Sequence, residues 1–373
     1  MSEVLVIDGS RGEGGGQMLR TSLSLAAVLG KPVRIVNIRA GRPKPGLAAQ
    51  HLTACRAVAA VCQGRLEGDE LRSQAIALQP GGLAGGSFVF DTADVAPSAG
   101  SVGLILQAIL PPLLFARQAS HVLLRGGTDV PWSPVFTYLQ DVFVPTVARM
   151  GVAVELQRNR AGWYPAGGGE IEAWVEPLTG PLRPLTLEVR GQGWRLSSRS
   201  IVSERLPRHI AERQNQAMAA QVPGLGRVKQ REEQPRAGGP GTTCVAVAAF
   251  EHGGGGFTAL GERGKKAEEV GAEAGRQLRD FLASEATVDE RLADQLQLYC
   301  ALADGMGGHA AGDVASKIVL TEVHSELKFH YANVDSFEAR APEILRSVAD
   351  LANQSLQHHA STHPETEGMG ATL

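Results

Sequence analysis

Where the glycines stand restricts the fold of this chain more than any other feature of its sequence. Many of the 45 glycines gather where strand-like runs meet helix-like runs: Gly12 to Gly16, Gly126 and Gly127, Gly167 to Gly169, and Gly253 to Gly256. Glycine accepts the left-handed and closely approached backbone of tight turns, so clusters placed between periodic runs punctuate an α/β chain.

The runs between the clusters alternate in period. Val4 to Ile7 predicts a short strand, and Gln17 to Leu29 a helix that buries Leu19, Leu23, Ala26 and Ala27 and ends at Gly30. Val33 to Ile38 predicts a second strand, and Ala49 to Cys62 a helix with Leu52, Cys55, Ala59 and Cys62 on one face. The pattern recurs in the apolar helix Val102 to Leu110, the strand Val122 to Leu124, and a helix carrying Phe136, Leu139 and Phe143. Residues 183–280 hold the alternating runs Leu185 to Val189 and Cys244 to Phe250, then a helix near Lys266 to Leu282, and read as an inserted smaller domain.

Composition narrows the function classes. A chain of 373 residues, 43% apolar and 20% charged, suits a soluble globular protein of two or three domains. Its net charge of -3 provides no global basic field, so a nucleic-acid partner requires a local cluster of Arg and Lys. Cys55, Cys62, Cys244 and Cys300 form no CxxC pair and read as reduced core thiols. No apolar run reaches the ~18 to 20 residues of a membrane span, and no secretion signal opens the sequence, so a cytoplasmic protein without membrane contact is expected.

Two segments carry the chemistry. Asp8 to Gln17 (Asp-Gly-Ser-Arg-Gly-Glu-Gly-Gly-Gly-Gln) sets glycine amides at the head of a helix, where the helix dipole favours an anion. Ile38 to Leu47 brings Arg39, Arg42 and Lys44 together on a stretch whose prolines and glycines forbid helix. Converging cations suit phosphate groups. A ligand-free turn and a solvated basic loop remain open as the bland alternatives.

Taken together, these segments resemble the RNA 3′-terminal phosphate cyclases, over Gly12 to Arg20 and Ile38 to Leu47. Further matches, in family order, are Gln50 to Ala54, Ser98 to Ser101, Gly126 to Asp129, Tyr164 to Gly169, Pro207 to His209, Gly239 to Gly241, Gly261 to Arg263 and Leu292 to Gln295. The resemblance implies a ligase-class, ATP-dependent enzyme that adenylylates itself on histidine and passes AMP to an RNA 3′-phosphate. The neighbouring 2′-hydroxyl then displaces AMP and leaves a 2′,3′-cyclic phosphate. RNA 3′-phosphate ends are the implied partner, with no DNA specificity evident, and ATP with Mg²⁺ or Mn²⁺ the implied cofactors.

Each step displaces a group in line at phosphorus, so cations that offset charge on the non-bridging oxygens matter most, a role that suits Arg20, Arg39 and Arg42. By the resemblance Glu13 holds a divalent metal or orients phosphates, and Gln50 and Gln107 contact nucleotide. Arg291, Leu292, Ala293, Asp294 and Gln295 then line the adenosine site. Gln107, alone on an apolar helix, has a second reading, in which it satisfies a buried backbone group. The implied architecture is α/β (α+β): repeated units of a small sheet backed by two helices over 1–182, an inserted smaller α/β domain over 183–280, and a return over 281–300.

The last part of the chain departs from that family. The cyclases carry their nucleophilic histidine in a His-Pro-Ser-x-His-like motif after the Leu-Ala-Asp-Gln segment, and that motif is missing here. Asp304-Gly305-Met306-Gly307-Gly308-His309 instead resembles a motif of the metal-dependent PPM-type protein phosphatases, and Gly368 to Leu373 a later one. Residues 301–373 are therefore expected to be an atypical, phosphatase-like fragment, with a change of identity between Leu298 and Asp304. By that resemblance Asp304 and Gly305 match metal-binding positions, although the other carboxylates a dinuclear site needs have no counterpart. His309 is the substitute candidate for the missing nucleophile. A non-catalytic RNA-end-binding protein and a phosphatase fragment are the rival expectations.

Overall fold

The computed structural model describes residues 4–10 and 15–305. Glu13, His309, the apolar stripe of Ile344, Val348 and Leu351, and the terminal glycine motif lie outside the described residues, as do the side chains of Asp304 and Gly305.

The chain is mixed α/β, with three four-stranded sheets. The first unit runs β1 (Leu5–Asp8), α1 (Gly16–Leu29), β2 (Val33–Val36), α2 (Ala49–Val61), β3 (Arg65–Glu67) and β4 (Ile76–Gln79). The second runs β5 (Ser87–Asp91), α3 (Val102–Leu114), β6 (Ser120–Gly126), then α4 (Phe136–Tyr138), a π-helical turn (Leu139–Phe143) and α5 (Val144–Arg149), then β7 (Ala153–Arg160) and β8 (Gly169–Glu176). The two sheets share one plan. Their orders are β1-β2-β4-β3 and β5-β6-β8-β7, with the first two strands parallel in each and the other neighbours antiparallel. One hydrophobic core runs beneath both.

The third sheet is made of β9 (Trp194–Val202), β10 (Val228–Glu233), β11 (Thr242–Phe250) and β12 (Gly253–Leu260), in the order β10-β9-β11-β12. It carries α6 (His209–Ala219) and α7 (Ala267–Ala283) over a second core. The heptad-like spacing of Val270, Ala274, Leu278 and Phe281 gives α7 its buried stripe. Gly271 lets α7 lie against α6, because a methyl there would sit 2.0 Å from the Gln214 carbonyl oxygen.

A line of alternating charges fastens the second sheet to the third. Arg158 on β7 lies between buried Asp129, 3.8 Å away, and Glu233 on β10. Arg199 on β9 pairs with that same Glu233 and, at 2.8 Å, with Asp141 on the π-helical turn. The Arg158 guanidinium also lies over the Phe136 ring, 5.0 Å from its centre.

The chain returns to the first core through α8 (Glu290–Gly305), which buries Leu292, Leu296, Tyr299 and Leu302. Asp289 begins it. Its carboxylate accepts the backbone N–H groups of Arg291 (2.9 Å) and Leu292 (3.0 Å), capping the helix, and also that of Gly256 and the Tyr138 hydroxyl, each at 3.0 Å. The interval expected to hold the change of identity therefore lies inside one continuous helix.

Several expectations need correction. Leu185 to Val189 is not a strand, because Leu185 and Leu187 pack against the first core while the segment pairs with no neighbour as a strand. The helix expected to stop at Leu110 continues to Leu114 through Pro111 and Pro112, whose burial with Leu113 and Leu114 offsets two missing helical hydrogen bonds. Cys55, Cys62 and Cys244 are core thiols as expected, whereas Cys300 is exposed, since it falls opposite the buried stripe of α8.

Candidate active site

α1 follows Gly15, whose backbone is extended, and no described side chain caps it, so among the described residues the first-turn N–H groups have no cap. That head is a cradle floored by glycine. A methyl on Gly16 would lie 2.4 Å from His51 Nε2 and 3.0 Å from an Arg20 guanidinium nitrogen, and one on Gly15 would lie 3.6 Å from a guanidinium nitrogen of Arg42. Any larger side chain would fill the space in which an anion can meet these donors.

Four cation or donor groups come from three parts of the sequence. Arg20 lies on α1, one turn into the helix. Arg39 and Arg42 come from the turn after β2, where Asn37 and Arg39 both adopt left-handed backbone with φ of 54° and 55°. Arg39 is steadied by donating 2.8 Å to the Gly46 carbonyl oxygen. His51 comes from the first turn of α2, and its Nδ1 accepts the Ala48 N–H at 3.3 Å, which leaves Nε2 to donate toward Gly16.

Crowding of like charge marks the site electrostatically. Burial pushes the Arg20 guanidinium down to about 10, against a partly compensating pull from Asp294. Burial and then Arg42 lower Arg39. Burial, Arg39 and Arg20 together push His51 down to about 3, so its imidazole is neutral at ordinary pH. Because the unfolded chain protonates His51 near 6.5 and the folded chain only near 3, the unfolded state holds more protons between those values. This component of stability is therefore complete above pH 6.5 and is lost as pH falls toward 3. His51→Gln is expected to flatten the fall of the melting temperature over that window, as followed by circular dichroism. An unchanged slope would refute this account of His51.

The sequence candidates distribute unevenly over this geometry. Arg20, Arg39 and Arg42 converge, and Asp294 joins them through a 2.7 Å hydrogen bond from Gln17 on α1, which ties α8 to the cradle. Gln50 is adjacent, but its side-chain oxygen accepts the Ser101 N–H at 2.8 Å and holds the start of α3. Gln107 sits half-exposed on α3, which packs against both α1 and α2, and has no hydrogen-bond partner among the described residues, contrary to the backbone-satisfying reading. On α8, Leu292 is buried in the core, Arg291, Ala293 and Asp294 are exposed, and Gln295 donates to the Arg291 carbonyl oxygen while its own side-chain oxygen is buried without a partner. Among the described residues no three His, Cys, Asp or Glu side chains cluster as a metal site.

His51 and Gln17 were not singled out from the sequence. Both stood inside quoted motifs, yet their part depends on α2 and α8 meeting the head of α1, which no spacing along the chain discloses.

Comparison with known proteins assigns the chain to a family. The family model described as RNA 3′-terminal phosphate cyclase matches residues 11–337. The match therefore carries through residues 301–337, a stretch the sequence assigned to a phosphatase-like fragment. Among curated proteins, the RNA 3′-terminal phosphate cyclase of Methylococcus capsulatus is 46% identical over 303 residues, covering 80% of this chain and 84% of the relative. That of Hyperthermus butylicus is 45% identical over 311 residues, covering 81% and 85%, and that of Gloeothece citriformis 41% over 340 residues, covering 89% and 95%. The likeness spans most of each chain and includes the segments that build the arginine-lined cradle, so this chain belongs to the RNA 3′-terminal phosphate cyclase family.

Proposed function

We propose that this chain is an ATP-dependent enzyme that converts an RNA 3′-phosphate end to a 2′,3′-cyclic phosphate through an enzyme-AMP and an RNA-adenylate intermediate. The observation that carries the reading is the meeting of Arg20, Arg39, Arg42 and His51 over the glycine head of α1. Three guanidinium groups, a neutral imidazole and the N–H groups at the head of a helix have the donor set of a polyphosphate site.

ATP supplies the adenylyl group: a histidine nitrogen attacks the α-phosphorus and pyrophosphate leaves. The RNA 3′-phosphate then takes AMP from the histidine, and the 2′-hydroxyl displaces AMP as the ring closes. The protein's part is to hold and neutralise these phosphates. Arg20, Arg39 and Arg42 take the non-bridging oxygens, whose charge grows as each in-line displacement proceeds. The His51 Nε2–H adds a neutral donor that does not compete for protons. Asp294, bonded to Gln17, holds α8 at the cradle, so that Arg291 to Gln295 border the adenosine, and Gln107 is the half-exposed amide left for the nucleotide. Gln50 acts by fixing the start of α3. With no acidic cluster among the described residues, Mg²⁺ or Mn²⁺ would be held by Glu13 together with phosphate oxygens, a usual arrangement for Mg²⁺. The second core, between α6, α7 and the facing side of β9 to β12, supports reading residues 183–280 as an inserted unit, although Leu185, Leu187, Ile201, Val245 and Val247 pack into the first core. The phosphatase-like reading of Asp304 and Gly305 rests on their motif alone.

The test incubates purified protein with radiolabelled ATP and Mg²⁺ or Mn²⁺, then adds RNA ending in a 3′-phosphate. An acid-labile, alkali-stable AMP adduct is expected, followed by conversion of the RNA end to a phosphatase-resistant cyclic ester. Labelling is expected to survive His309→Ala, because His309 falls short of the position at which the family's nucleophilic histidine stands, and loss of labelling would make His309 the nucleophile. Retained binding of RNA ends with no adduct would replace this reading with a non-catalytic RNA-end binder.

A further inference from the structure

A second site of opposite character to the chain's net charge lies on the third sheet. Although the protein carries -3 overall, a groove of about 930 Å³ crosses β9, β10 and β11 and is lined by Arg195, Arg199, Arg227, Lys229 and Arg231 against a single carboxylate, Asp141. None of these residues belongs to the cradle at α1.

The groove follows from strand alternation. On β9, Leu196, Ser198 and Ser200 turn inward, with Ser198 bonded to Asn215 of α6 at 2.8 Å and Ser200 to Gln214. Arg195, Ser197 and Arg199 therefore face the other side. Parallel pairing sets Lys229 beside Ser197 and Arg231 beside Arg199, while Val247 and Ala249 of β11 form an apolar floor. Arg199 is neutralised by Asp141 and Glu233. The side chains of Arg195, Arg227, Lys229 and Arg231 make no hydrogen bond or ion pair with any described residue. Trp194, 47% exposed, ends the groove but turns its ring to the other face of the sheet, edge-on to Phe250 of the second core, with its indole N–H donating to the Leu225 carbonyl oxygen at 3.3 Å.

Four unneutralised cations set along one groove above an apolar floor match the chemistry of a single polynucleotide strand, whose phosphates recur along its length and whose bases can rest on apolar surface. The family's substrate is itself such a strand, so a groove of this sign on the same chain has an occupant at hand. We propose that this groove binds the single-stranded RNA chain upstream of the reacting terminus, an exosite that adds affinity for long substrates without touching the 3′ end. The inference rests on the cyclase reading for the identity of the strand.

The test measures binding of 3′-phosphorylated RNAs of three and twenty nucleotides by fluorescence anisotropy, for the wild type and for R195Q/K229Q/R231Q. The longer RNA is expected to bind the wild type at least tenfold more tightly than the shorter. The triple variant should lose that advantage, leave the short RNA's affinity unchanged, and lower the slope of log K against log salt by about 2, near 0.7 per lost phosphate contact. Equal affinities of the two RNAs for the wild type, or a triple variant within twofold of it for the longer RNA, would overturn the inference. Should the variant fail to fold, acetylation of Lys229 in the wild type decides the matter: protection by the longer RNA and not by the shorter supports the groove, and equal protection opposes it. Full displacement of the longer RNA by polyglutamate at equal charge concentration would assign the groove to an acidic protein instead. Adduct formation with ATP alone is read in parallel, so failure of the cyclase reading shows as a missing adduct while the length dependence is judged separately.

Discussion

Arg20→Ala is expected to slow cyclisation by about 10²- to 10³-fold, the range seen when one preorganised donor is removed from a site that stabilises developing negative charge. It should do so without loss of stability. In the folded chain the Arg20 guanidinium is held down to about 10, so the fold pays a penalty for carrying that charge at every pH below 10. Its removal relieves this penalty and eases the field on His51, which Arg20 helps to depress. A melting temperature equal to or above that of the wild type, together with a large loss of rate, is the expected signature. Arg20→Lys keeps the charge but not the planar fork, and should recover part of the rate. A variant that lost activity only in proportion to its folded fraction would show Arg20 to be structural.

Asp289→Ala is expected to have the largest effect on stability. The substitution leaves the N–H groups of Gly256, Arg291 and Leu292 and the Tyr138 hydroxyl without their acceptor in a buried setting. A lost helix cap is worth about 1 kcal/mol and an unsatisfied buried polar group about 1–3 kcal/mol, so a total of roughly 3 kcal/mol is expected. Denaturant unfolding should report it as a lower midpoint with an unchanged slope. Asp289→Asn keeps one acceptor oxygen and should lose less. Since α8 carries Asp294 to the cradle, hydrogen exchange should rise first along Glu290 to Leu302 in the Ala variant. A change below about 0.5 kcal/mol would mean that water replaces the carboxylate at no cost.

The cradle was largely legible in the sequence because it is built from local signals. Glycines ahead of a helical period announce α1, and the Arg39 to Lys44 run cannot be helical, so both segments were placed before any tertiary contact was known. The convergence of Arg20 with Arg39 and Arg42 was expected as well. Asp289 was not, since an aspartate ahead of a helix is common, and only the meeting of β12, α4 and α8 makes this one a junction. β8 escaped notice although Ile171, Ala173 and Val175 alternate with Glu170, Glu172 and Trp174, because the glycine motif before it drew the reading toward a turn. β7 offered less, being polar on both faces over most of its length. The strand expected at Leu185 to Val189 shows the reverse error: alternation suffices to bury two leucines, but a strand needs a paired neighbour, and the segment pairs with none among the described residues.

The alternating ions from Asp129 through Arg158, Glu233 and Arg199 to Asp141 have a mechanical consequence. A pivot between the halves they join must part Arg158 from Glu233 and Arg199 from Asp141 together, and it leaves the Arg158 side chain, only 5% exposed, with Asp129 alone. Tilting therefore meets a threshold instead of a soft spring, as a door does that is held by two latches thrown at once.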